Sequence, residues 1–201
     1  MTKIKRLLAS YLLWVFIIFG ITAIWLLNTE PVTVDAERSL LAQTSPISPI
    51  PGAPVTGTIL LQGRTNHAGA GVFLTTIACP LVDRETLTTT PDIPSTTTDE
   101  NGHFAIVPTS GDTFVCLQGI QHGYLVAQNA TPWGELGTIE LPGGDVTEDD
   151  LINIFDLAFI ASRYQTNDPA ADINADGTVN IFDLTITAGN YERQGPVTEW
   201  Q

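Results

Sequence analysis

The sequence predicts a chain of several modules: an N-terminal transmembrane helix, an antiparallel β-sandwich, and a small α-helical module on the C-terminal side. Three observations carry that prediction. Leu7–Leu27 runs about 21 residues without a charged side chain, enough to cross a bilayer core at about 1.5 Å per residue. Residues 55–140 hold short, β-branched, alternating stretches between Gly- and Asn-rich turns. Finally, Asn153–Tyr164, NIFDLAFIASRY, returns 27 residues later as Asn180–Tyr191, NIFDLTITAGNY.

The first element is residues 1–27. Lys3, Lys5 and Arg6 precede the apolar run, and basic residues stay on the cytoplasmic side, so whatever follows is exported. Two readings stand side by side. One is an uncleaved anchor, making the chain a single-pass cell-membrane protein with its C-terminal part outside. The other is a signal peptide, making the chain secreted. A signal peptide has a shorter apolar core of about 7–15 residues, and the small-x-small sites here are poor. Residues 28–54 carry Pro46, Pro49, Pro51 and Pro54 among Ser, Ile and Gly, the composition of an extended linker.

The 201 residues carry a formal net charge of -14, with 8 Lys+Arg against 22 Asp+Glu. That balance argues against nucleic acid as a partner, which requires clustered cations. The charge is uneven: about +1 over residues 1–54, about -6 over 55–140 and about -9 over 141–201.

Residues 55–140 form the second module. Strands are expected at 55–62, 72–78, 103–107, 113–117, 124–127 and 138–141, with Asp99-Glu100-Asn101-Gly102 as a turn. The Thr-rich stretch 86–98 reads as a loop or edge strand. Gly57, Gly63-Arg64, Gly71-Val72, Thr98–Phe104 and Gly123-Tyr124-Leu125 together resemble the carboxypeptidase-regulatory-like, prealbumin-like family of β-sandwich modules. That resemblance implies a spacer without catalysis. Cys79 and Cys116 are the only cysteines. Outside the cytoplasm they can form a disulfide worth about 3 kcal/mol, or remain two separately buried thiols. His67, His103 and His122 show no zinc-ligand spacing, and neither a Gly-x-Ser-x-Gly elbow nor a phosphate loop is present. No enzymatic activity is expected.

The third module, residues 141–201, holds the repeat. Its second copy opens with Asp172, Asn174, Asp176, Gly177, Thr178, Asn180 and Asp183 at loop positions 1, 3, 5, 6, 7, 9 and 12. This is the spacing of a calcium loop. Alternate side chains converge, Gly177 turns the backbone, Thr178 offers its carbonyl, and Asp183 reaches back from the following helix. The first copy has Asp145, Thr147, Asp149, Leu151, Asn153 and Asp156 as the corresponding ligands. Thr147 is a weaker ligand than Asn or Asp, and Asp150 stands where Gly is usual, so a weaker second Ca2+ site is expected. Neither loop is preceded by a helix-forming stretch, so each repeat is a loop plus one exiting helix.

These residues resemble the dockerin family of duplicated half-EF-hand modules over about 143–193. The resemblance implies two Ca2+ ions and a cohesin-like protein domain as partner. It also implies that loop positions 10 and 11, Ile154-Phe155 and Ile181-Phe182, contribute to recognition. The alternative reading has those residues capping a very small core. The helix–helix core is expected on Leu157, Ile160, Ala161 and Tyr164, and on Leu184, Thr187, Ala188 and Tyr191, by i, i+3, i+4, i+7 spacing. Trp200 is a candidate to close over Pro142. The rival to a docking role is a surface protein that uses calcium for stability alone, with no cohesin partner.

Overall fold

A computed structural model of the chain describes residues 53–79, 84, 87, 92–108 and 113–201. Among them no helix is long and apolar enough to cross a membrane. The run Leu7–Leu27 and the linker up to residue 52 lie outside the described residues.

Strand β1 (Val55–Leu61) is the centre of the first sheet. Its alternation turns Val55, Ile59 and Leu61 inward, all three fully buried. On one side β1 pairs antiparallel with β4 (His103–Ile106), Val55 opposite Ile106. The turn before β4 is held by Asp99, whose Oδ1 accepts from the amides of Asn101 and His103, both at 2.9 Å. On the other side β1 pairs with β8 (Glu135–Leu141), Ile59 beside Ile139 and Leu61 beside Leu141.

That last pairing is parallel, so the sheet is mixed where an antiparallel one was expected. The reason is topological. β7 (Ala127–Asn129) belongs to the other sheet, so the chain crosses between sheets before β8 begins and lands beside β1 running in its direction. Hairpin pairing constrains only strands that neighbour in both sequence and space.

The second sheet has the order β3-β2-β5-β7 and is antiparallel, with β2 at Gly71–Thr75, β3 at Ser95–Thr97 and β5 at Cys116–Ile120. β3 is the edge strand at the end of the Thr-rich stretch. The two sheets face one another across β5, where an added Cβ on Gly119 would lie 2.5 Å from Ile59 Cδ1. A disulfide joins Cys79 to Cys116, with Cα atoms 5.0 Å apart. The strand expected at 113–117 begins three residues later, and the one expected at 124–127 divides. β6 (Gly123–Tyr124) pairs with β9 (Gly143–Asp145), whereas β7 pairs with β5.

Beyond β9 come the two helices, α1 (Ile154–Ser162) and α2 (Ile181–Gly189). Their buried faces match the expected ones in part: Ile160 and Thr187 are buried and Leu157 and Leu184 half-buried, as expected. Asp156 and Ile160 are buried on α1, and Asp183 and Thr187 on α2, with Asn190 at its C-cap. Ala161, Tyr164, Ala188 and Tyr191 are exposed. Asp156 and Asp183 face inward because each accepts from amides of its own loop. β9 adds to it, because an added Cβ on Gly144 would lie 2.9 Å from Thr187 Cα, and only a glycine lets the strand approach so closely.

The helices and the sheets share one core. Val55, Ile59, Leu61, Leu117 and Ile139 of the sandwich belong to the same buried cluster as Val146, Ile160, Ala171, Ile173 and Val179. Residues 49–201 accordingly form one compact unit. The residues after α2 return to the sandwich. Val197 donates to Val126 O at 2.7 Å, and Gln201 exchanges backbone bonds with Thr138. Trp200 packs its ring against Phe104, centroids 6.1 Å apart, and donates Nε1 to Gln128 O at 3.1 Å. Its partner is thus the sandwich rather than Pro142.

Candidate functional site

The duplication in sequence is a duplication in space. Asn153 and Asn180 cap the two helices, each accepting from the amide two residues on, Phe155 at 2.7 Å and Phe182 at 2.8 Å. Asp156 and Asp183 return the bond to the cap amides, both at 2.8 Å, completing a capping box on each helix. The other carboxylate oxygen of each spans the loop: Asp156 Oδ1 accepts from Thr147 N, and Asp183 Oδ1 from Asn174 N. Ile152 pairs with the backbone just after α2, and Val179 with the backbone just after α1, so each loop is strapped to the end of the opposite helix.

The two loops turn alike. Position 4 has φ 60° at Glu148 and 57° at Ala175, and position 6 has 62° at Asp150 and 92° at Gly177. Asp150 therefore takes the left-handed conformation that Gly usually supplies at this position. The position-1 carboxylates accept from the amides at positions 5 and 6 in both copies: Asp145 from Asp149 and Asp150, Asp172 from Asp176 and Gly177.

In loop 172–183 the six expected ligands, Asp172, Asn174, Asp176, Thr178, Asn180 and Asp183, are joined by hydrogen bonds within the loop. Asp176 Oδ2 receives the Nδ2 groups of both Asn174 (2.9 Å) and Asn180 (3.0 Å), and those bonds hold its carboxyl below the usual range. Two amide dipoles present their positive ends where charge compensation is wanted. The donor set is hard oxygen throughout, which suits calcium. Among the described residues no three Asp, Glu, His or Cys side chains converge as a metal cluster. In this loop the remaining oxygens come from Asn174, Asn180 and the Thr178 carbonyl.

Loop 145–156 fits less well. Thr147 Oγ1 donates to Asp156 Oδ1 at 2.9 Å, so the position-3 hydroxyl spends its proton on the position-12 carboxylate. Asp149 Oδ1 accepts from Leu151 N at 3.1 Å, and Asn153 Nδ2 donates to Leu151 O at 3.2 Å. Asp150 turns away to accept from Val126 N of the sandwich at 2.9 Å. Burial pushes Asp145 up to about 6; Arg84 opposes this, and Asp150 and Asp156 add to it. Burial also raises Asp150.

Several residues at this junction were missed in the sequence. Tyr124 Oη shares its one proton between Ile173 O at 2.8 Å and Gln62 O at 3.0 Å. Burial pushes its hydroxyl up to about 12, against the pull of Arg64. Arg64 Nε donates to the same Ile173 carbonyl at 2.9 Å. Asn190 Nδ2 donates to Gly143 O at 2.7 Å and also reaches Gln62 Oε1. The only available signal was the scarcity of cations, which makes each arginine worth placing.

The outer faces of the helices are apolar. Ile154 and Phe155 are 57% and 70% exposed, Ile181 and Phe182 57% and 64%. Tyr164 and Tyr191 add 44% and 45%. Among the described residues the only other exposed large apolar side chains are Ile77 and Val107, so the apolar surface concentrates on the repeat.

The family model for the dockerin type I domain matches residues 143–188. The C-terminal module is a dockerin. No curated protein matches the chain. Its fold is similar to chains in two crystal structures of mutant type II cohesin–X-dockerin complexes from Acetivibrio cellulolyticus. For the N-terminal interface mutant the identity is 23% and the TM-score 0.53, covering 71% of this chain and 97% of that one. For the C-terminal interface mutant the values are 24%, 0.54, 71% and 97%. At such identity the likeness is one of fold, and its extent takes in the β-module as well as the dockerin.

Proposed function

We propose that the dockerin module binds a cohesin-type protein domain through the outer faces of α1 and α2, and that calcium orders the loops supporting those faces. The observation that carries this reading is the pair of identical, exposed apolar dipeptides, Ile154-Phe155 and Ile181-Phe182, at the first turn of both helices. An apolar patch of matched aromatics set on a rigid scaffold is the composition of a protein-binding hot spot. Because the copies match, a partner can engage in either of two orientations. The family model is of type I and the similar complexes are of type II, so both classes of cohesin belong in the test.

Capture of the chain on immobilised cohesin domains, with calcium and with chelator, is the deciding experiment. Calcium-dependent capture supports the reading, and no capture by either class sinks it. The rival reading, a calcium-stabilised surface protein without such a partner, draws on the core shared by dockerin and sandwich. The apolar run Leu7–Leu27 supports export and tethering at the membrane, with the β-module acting as a non-catalytic spacer. Protease accessibility of intact cells tests that placement.

A further inference from the structure

We propose that loop 145–156 is held by a side chain instead of a metal: the Arg84 guanidinium is its permanent cation, and the dockerin takes a single calcium, in loop 172–183. This rests on the calcium reading above for the second loop only. Arg84 Nη2 donates to Asp145 Oδ2 at 3.0 Å and to Tyr124 O at 2.7 Å, while Nη1 donates to Glu148 Oε1 at 3.2 Å. Asp145, at loop position 1, has a side chain with 0% exposure, and Arg84 has 19%. A buried carboxylate needs a paired charge or several hydrogen bonds, and here it has both. Glu148 is further fixed by His122, whose Nδ1 lies 2.9 Å from Oε1 and whose Nε2 lies 3.2 Å from Ala170 O.

The second loop is the internal control. Backbone turns, capping boxes and cross-loop bonds coincide in the two copies, so the differences are chemical. At position 4 the first copy has Glu148, which reaches Arg84, and the second has Ala175. At position 3, Thr147 donates to Asp156, whereas Asn174 faces Asp176. At position 6, Asp150 binds the sandwich amide of Val126, whereas Gly177 binds nothing beyond its own loop. The changes at positions 4 and 6 tie the first loop to the protein, the change at position 3 closes it on itself, and none adds an oxygen directed at an ion. A guanidinium is planar, always charged and forked, so it can bridge Asp145 and Glu148 while also satisfying the Tyr124 carbonyl.

The test uses the full chain in detergent micelles. Calcium is titrated by calorimetry, and amide exchange is followed by mass spectrometry in chelator. The expected result is one calcium per chain, with residues 145–156 protected in chelator while 172–183 exchange freely. Asp172→Asn should abolish calcium binding. Arg84→Gln should lower protection of 145–156 by at least about tenfold, or open a second calcium equivalent, with the affinity of the remaining site unchanged. Two equivalents in the wild type, one equivalent surviving in Asp172→Asn, or unchanged protection in Arg84→Gln would each overturn the proposal. Absence of any calcium binding would sink the calcium reading alone, because the exchange comparison in chelator still judges Arg84.

Discussion

Replacing Tyr124 by Phe tests whether dockerin and sandwich fold as one unit. The substitution removes one oxygen from a fully buried ring and leaves its apolar packing in place. Two acceptors lose a partner, Gln62 O and Ile173 O. Ile173 O keeps the Arg64 Nε bond, and Gln62 O, on a half-buried residue, loses its side-chain donor. An unsatisfied buried acceptor costs about 1–3 kcal/mol, and a lost but still partnered one adds less, so about 2 kcal/mol is expected. For a unit of this size, with a urea slope of about 2 kcal/mol per M, the midpoint moves down by about 1 M. The assay is urea unfolding of residues 49–201 with calcium present, followed by tryptophan fluorescence and by helical circular dichroism. Trp133 and Trp200 pack against the core and report the sandwich, while α1 and α2 supply the helical signal. Both signals should move together, with an unchanged slope. Separate transitions, with only one displaced, would show that the buried cluster does not couple the two parts, and the reasoning would fail.

Further consequences can be checked in the same way. Phe155→Ala or Phe182→Ala alone should weaken cohesin capture only about twofold, because the other copy still serves. The double change should remove about 2–4 kcal/mol, read by surface plasmon resonance. Replacing Cys79 and Cys116 by Ser opens a loop of 37 residues and should cost about 3–4 kcal/mol in thermal or urea unfolding. The Tyr124 hydroxyl stands at about 12 in the folded chain against 10.0 in an unfolded one. Its contribution is therefore complete below pH 10 and is lost as pH rises toward about 12. A stability profile at alkaline pH should show that fall in the wild type, and Tyr124→Phe should flatten it by at most about 2–3 kcal/mol.

Legibility in the sequence followed the range of the interactions. The loop turns and the helix starts were readable because they are local: Asn180 and Asp183 bond within three residues, and the repeat states the pattern twice. The buried helix faces were read only in part, Ile160 and Thr187 correctly, because periodicity weighs apolarity. The residues that turned inward, Asp156 and Asp183, are charged and are satisfied by backbone amides that no pattern displays. The parallel pairing of β1 with β8 was hidden because it depends on which sheet β7 joins. Arg84 was hidden for a similar reason: it stands 61 residues before Asp145. The Cys79–Cys116 bridge was half readable, since the even pair and the expectation of export permitted it while the strand ends alone could not fix it.

The buried cluster that runs from Val55 to Val179 also decides what can be moved from one protein to another. A graft cut at residue 141, where composition suggests a seam, would carry away Ile173 and Val179 without the Tyr124 ring, the Gln62 side chain and the β7 and β8 edges that the last residues pair with. Such a fragment would expose an apolar underside as well as its docking face, and would aggregate or stick without specificity. The transplantable piece begins near Pro49, and a fusion that respects it gives the recipient a handle whose binding face points in a fixed direction.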